Sequence, residues 1–155
     1  MMVAFELNGK KVECETQPNR TLLDLIRVDL GVISVKKGCE EGECGSCTVL
    51  LDGLPVTSCL VLAAQAEGRA VTTVDGLIDD PVMEALRKAF MEDGAVQCGF
   101  CTPGMLISAY TLLRENPEPT EEEVKKAIEG NLCRCTGYVK IIEAILDAAG
   151  MIKAE

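Results

Sequence analysis

"GCEEGECGSC", residues 38–47, sets three cysteines among three glycines and three glutamates. Glycine adopts positive φ freely and lets the backbone come close to whatever it surrounds. A chain wrapped in this way aims several N–H groups at one centre, which suits an anion. Thiolates gathered on a metal are such an anion. The stretch therefore reads as a loop closing on a metal centre, and its neighbours must supply the scaffold.

A fourth cysteine follows at Cys59, so the set is Cys39, Cys44, Cys47 and Cys59, spaced C-x4-C-x2-C-x11-C. That spacing matches the plant-type [2Fe–2S] pattern. A four-cysteine zinc site is the alternative, but it favours paired C-x2-C knuckles. The flanking elements read as strands. Val3, Phe5 and Leu7 alternate up to Asn8-Gly9, and Val12 and Cys14 continue beyond, which makes a hairpin with a primed turn. "TVLLDGLPVTSC" (48–59) is a second hairpin around Asp52-Gly53, and "AVTTV" (70–74) a short strand. Between them Thr21 caps a helix over "LLDLIRVDLG", with Asp24 three residues on and Gly31 as its stop.

After Gly76 the pattern turns helical. Pro81 follows Asp80 and opens a helix running to Gly94. Thr102-Pro103 opens another through Glu115. Thr120 and Glu123 form a capping box for a third, stopped by Gly130. Tyr138 to Ala149 is a fourth, with Ile141, Ile142, Ile145, Leu146 and Ala149 as its apolar stripe and Gly150 after it. Met83, Met91, Met105, Phe90 and Tyr110 lie in helical stripes and are expected in the core. Tyr138 is expected there too. The reading is thus a strand-rich half over 1–76 and an all-helical half over 77–155.

Each half is small enough to need a staple beyond hydrophobic burial. The chain has 155 residues, nine cysteines, no histidine and no tryptophan. Its start shows no secretory pattern, and no run approaches a membrane span. The expected compartment is the cytoplasm, where clustered cysteines point to metal rather than disulfides. The net charge of −10 disfavours nucleic acid as a partner. With no histidine, the chain lacks the commonest general base and the ligand of a Rieske centre. No nucleophile elbow, phosphate loop or carboxylate dyad is evident, so no residue is assigned a catalytic role.

A second set of cysteines lies in the helical half: Cys98, Cys101, Cys133 and Cys135, spaced C-x2-C-x31-C-x-C. The first two precede the helix opened by Thr102, and the last two lie between the third and fourth helices. Four loop thiolates at helix ends can close on one site. Spacing alone leaves zinc and an iron–sulfur cluster both open here. Cys14 is left over and reads as a small buried hydrophobe. Glu40, Glu41 and Glu43 read as solvated surface.

"GCEEGECGSC", "QCGFCTPGM" and "GNLCRCTGY", in this order across residues 3–149, resemble the iron–sulfur subunit of the molybdenum hydroxylases, the xanthine dehydrogenase, aldehyde oxidoreductase and carbon monoxide dehydrogenase family. The resemblance implies an α+β chain: an N-terminal β-grasp ferredoxin-like domain followed by an all-α four-helix domain, each with one [2Fe–2S] cluster. It makes iron the metal of the second site. It also implies partners: a large subunit with a molybdopterin-type cofactor of molybdenum or tungsten, and a medium subunit with FAD, assembled as a dimer of heterotrimers. The role implied is electron transfer from the molybdopterin centre to the FAD or another acceptor. Gln97 and Cys135 match positions that approach the pterin in this family. A zinc-stabilised assembly module and a free ferredoxin are the competing classes. Zinc would leave the protein colourless, and a free shuttle would need only the first half.

Overall fold

The structure, a computed structural model, describes residues 1–154. Strands β1 (Met2–Leu7) and β2 (Lys10–Glu15) pair antiparallel across Asn8-Gly9. Both turn residues are left-handed, at φ 52° and 81°, as a primed turn requires. β3 (Thr48–Leu51) and β4 (Leu54–Thr57) repeat the device around Asp52-Gly53. β5 (Ala70–Thr72) runs parallel to β1 and antiparallel to β3, so one five-stranded sheet results, in the order β2-β1-β5-β3-β4. Its strand ends at Thr72, two residues short of the expected limit. There Asn8 takes the Thr73 N–H on its side-chain oxygen at 2.8 Å and starts a 3-10 turn.

Val3, Phe5, Leu7, Val49, Leu51 and Val71 form the buried face of the sheet, closed by Leu22, Leu23, Leu25 and Ile26. The expected helix from Leu22 to Gly31 is not continuous. One α-turn, α1 (Leu22–Asp24), passes into a π-helical turn over Leu25–Asp29. Leu30 N–H reaches Leu25 C=O at 2.9 Å, so the widened turn keeps its backbone satisfied while Leu22, Leu23, Leu25 and Ile26 all reach the core. Cys14 is half-buried against this core, opposite Val3.

The helical half comprises α2 (Pro81–Glu92), α3 (Thr102–Glu115), α4 (Glu121–Ala127) and α5 (Val139–Ala154). Asp80 accepts from Val82 N–H at 2.9 Å and caps α2. Thr120 and Glu123 make the expected capping box. Met83, Phe90, Met105, Tyr110, Ile141 and Ile145 are buried together. Met91 is not: it points outward from the last turn of α2 and is 73% exposed. α4 gives way to turns before Gly130. α5 runs through Gly150 to Ala154, because Met151 and Ile152 pack on the core and offset a glycine cost of about 1 kcal/mol. Among the described residues no helix is long and apolar enough to cross a membrane.

The two halves meet through β3 and α3. Val49 and Leu51 face the sheet core, whereas Leu50 faces away and is buried among the helices. This follows from the two-residue period of a strand covered on both faces.

Candidate iron–sulfur sites

The loop 38–47 winds through left-handed residues at Glu40, Gly42 and Gly45, with φ 59°, 80° and 72°. The winding turns backbone donors inward. Cys39 Sγ accepts from the N–H groups of Glu41, Glu43 and Cys44 at 3.4, 3.2 and 3.3 Å. Cys44 Sγ accepts from Cys39 N–H at 3.5 Å. These donors, Glu41 N–H first, lower the Cys39 thiol to about 7. Cys59 lies against Cys47 and near Cys39, and burial pushes its thiol up to about 11. Lys37 bridges Asp24 and Glu40 at 2.9 and 3.0 Å and ties the loop to α1. Glu40, Glu41 and Glu43 are exposed around it.

The second set assembles at the start of α3 and the loop before α5. Cys101 touches Cys133, and Cys135 touches Cys98. Burial is the main reason that the Cys101 thiol rises to about 12. Burial alone would also raise Cys133, but the Thr136 hydroxyl and the N–H groups of Thr136 and Cys135 hold it below the usual range. Gln97, Cys98, Phe100, Leu132, Arg134 and Cys135 are all exposed, so this end of the site opens to the surface. Every one of the nine cysteines is a free thiol.

The structure thus brings each set of four together and keeps Cys14 away from both. Within each set the sulfurs meet in pairs: Cys39 with Cys44, Cys47 with Cys59, Cys98 with Cys135, Cys101 with Cys133. Among the described residues no three such ligands converge on one ion. Pairing suits a two-iron centre, in which each iron takes two protein ligands, better than a tetrahedral mononuclear site. The inward N–H groups suit its negative charge.

Several residues that matter here are not cysteines. Asn131, only 4% exposed, donates to Gly45 C=O at 3.2 Å and accepts from Ser108 Oγ at 2.7 Å. Leu132 N–H donates to Cys44 C=O at 2.9 Å. A Cβ on Gly45 would strike Gly130 C=O, and one on Gly104 would strike Gly45 C=O, so both positions need glycine for close approach. These contacts place the Cys44 loop directly on the segment leading to Cys133. Tyr138 is not plain core. It is half-buried and left-handed at φ 73°, a strain of about 1–3 kcal/mol. Its hydroxyl accepts from Cys133 N–H at 3.0 Å. The strings "GNLCRC" and "CTGY" held Asn131, Leu132 and Tyr138, but nothing in their periodicity marked them.

Two sets of four thiols, each on its own half of an α+β chain, are the arrangement an iron–sulfur electron carrier needs. A 2Fe-2S iron-sulfur cluster binding domain family matches residues 5–78, and a [2Fe-2S] binding domain family matches residues 73–146. The chain is 52% identical to the nicotinate dehydrogenase small FeS subunit of Eubacterium barkeri, over 92% of this chain and 91% of that one. It is 44% identical to the xanthine dehydrogenase iron-sulfur-binding subunit of Escherichia coli O157:H7, over 91% and 89%. A crystal structure of quinoline 2-oxidoreductase from Pseudomonas putida 86 contains a chain that is 46% identical and superposes with a TM-score of 0.92, covering 99% of this chain and 96% of that one. The chain belongs to the family of small iron–sulfur subunits of the molybdenum hydroxylases. Such subunits serve electron transfer within a multi-subunit oxidoreductase that has a large subunit.

Proposed function

We propose that Cys39, Cys44, Cys47 and Cys59 hold one [2Fe–2S] cluster within a unit spanning 1–76, and that Cys98, Cys101, Cys133 and Cys135 hold the second within a unit spanning 77–155. The observation that carries this is the two-by-two pairing of the sulfurs in each set. When bound, the clusters supply one-electron transfer between a molybdopterin-type cofactor on the large subunit and FAD on a medium subunit, or another acceptor. The chain's own residues hold the thiolates, satisfy their charge and fix the two sites against each other.

The end of the second site that exposes Gln97 and Cys135 faces the large subunit. The Gln97 amide both donates and accepts, which matches the mixed edge of a pterin. Cys135 serves there as iron ligand and as pterin neighbour. The first site, rimmed by Glu40, Glu41 and Glu43, faces the FAD subunit. The complex is a dimer of heterotrimers and works in the cytoplasm. Its substrate is a nitrogen heteroaromatic, because nicotinate, xanthine and quinoline, the compounds in the relatives' names, all share that ring chemistry.

Gln97→Ala tests the orientation. Both clusters should stay, and reduction of the second by substrate should slow in rapid-mixing spectroscopy of the assembled complex. Arrival of substrate electrons first at the Cys39, Cys44, Cys47 and Cys59 cluster would reverse the order. Turnover of aldehydes alone in a substrate panel would remove the ring assignment.

A further inference from the structure

One hydroxyl sits on a candidate ligand sulfur, and its direction is fixed by its neighbours. Thr136 Oγ1 lies 3.1 Å from Cys133 Sγ. The same oxygen accepts from Tyr138 N–H at 3.2 Å. A hydroxyl carries one hydrogen. A ligand thiolate has no hydrogen to give and the Tyr138 N–H already donates to this oxygen, so the hydroxyl's one hydrogen goes to the sulfur. The arrangement depends on backbone that side chains seldom adopt. Gly137 and Tyr138 are both left-handed, at φ 66° and 73°, and this winding carries the Tyr138 N–H back to Thr136. The Tyr138 hydroxyl then returns to Cys133 N–H at 3.0 Å, so a closed ring of three hydrogen bonds surrounds one ligand.

A donor on a ligand thiolate takes up electron density from sulfur and makes the adjoining iron easier to reduce. We propose that Thr136, aimed by Tyr138, is a positioning residue that sets the reduction potential of the second cluster alone. It holds that cluster at a higher potential than its thiolates would otherwise have. Among the described residues no side-chain hydroxyl reaches a sulfur of the first site, where the donors to Cys39 and Cys44 are backbone N–H groups.

The inference rests on Cys133 being a ligand of that cluster, and the two are tested apart. In Cys133→Ser, loss of one paramagnetic resonance signal supports the ligand assignment, and survival of both native signals defeats it. The Thr136 test is a resonance-monitored redox titration of the purified complex. Thr136→Val should keep both clusters and lower the second one's reduction equilibrium constant about tenfold, which is 59 mV for one electron. The first cluster should not move, and Thr136→Ser should restore the native value. A change under twofold in Thr136→Val, an equal shift at both clusters, or no recovery in Thr136→Ser would overturn the proposal. If Thr136→Val does not assemble, double resonance on the native and Thr136→Ser complexes in heavy water decides. A strongly coupled exchangeable deuteron at the second cluster in both supports the contact, and its absence contradicts it.

Discussion

The two sulfur sites solve one electrostatic problem with different parts of the chain. At the first, all four hydrogen bonds to sulfur come from backbone N–H groups of one glycine-rich loop. At the second, Phe100 N–H reaches Cys98 Sγ at 3.5 Å and the N–H groups of Thr136 and Cys135 act on Cys133, but a side chain joins them: the Thr136 hydroxyl makes the shortest contact, at 3.1 Å. A loop that tunes with backbone is insensitive to most substitutions and announces itself through its glycines. A site that tunes with a side chain is adjustable by single substitutions and is silent in the spacing of its cysteines. The ligand sources differ too. The first site takes three ligands from one loop and the fourth, Cys59, from just past the β3–β4 hairpin, whereas the second joins two pairs separated by α3 and α4.

The largest effects should come from breaking one site at a time. Cys44→Ser should remove the plant-type signal and leave the other, and Cys98→Ser should do the reverse, because the sets share no residue. Loss of both signals in folded, soluble protein would show that the eight cysteines are partitioned wrongly.

A smaller effect should reveal where the sites are joined. Asn131 is buried between Gly45 and Ser108, and removing its amide leaves buried partners unsatisfied at a cost of about 1–3 kcal/mol. Asn131→Leu should therefore lower the unfolding midpoint and hasten cluster loss at both sites. Loss confined to the second site would mean that the seam does not support the Cys44 loop.

The smallest effect concerns protons. Iron binds the thiolate, so each protonated ligand must lose a proton first. In the metal-free fold Cys59, at about 11, and Cys101, at about 12, are protonated at neutral pH. Cluster rebuilding should thus strengthen as pH rises from 6 to 9. At the first site the gain should ease above about 7, where Cys39 is already ionised. Occupancy after rebuilding that is flat across this range would contradict the assigned directions.

The contrast also explains what the amino-acid pattern discloses. Both hairpin turns were readable because Asn-Gly and Asp-Gly tolerate the positive φ that such turns require. The Thr120 and Glu123 box was readable because capping is local. The first cysteine set was readable from spacing and glycine, but the metal of the second came only from resemblance, since C-x2-C-x31-C-x-C suits more than one centre. The π-helical turn at Leu25–Asp29 was hidden because tertiary packing decided it. Met91 fell in an apolar stripe that outlasts the protein's own core. Gly150 looked like a stop, yet packing of the last turn carried the helix past it. Tyr138 looked apolar, and only the fold shows its hydroxyl and N–H acting on Cys133 and Thr136.

Metal and sulfide content tests the central claim most directly. Two [2Fe–2S] clusters on one chain require about four irons and about four acid-labile sulfides. Purified, red-brown protein should show those amounts, no zinc, and two distinct paramagnetic signals on reduction. Half the iron with one signal, or stoichiometric zinc in colourless protein, would contradict the account.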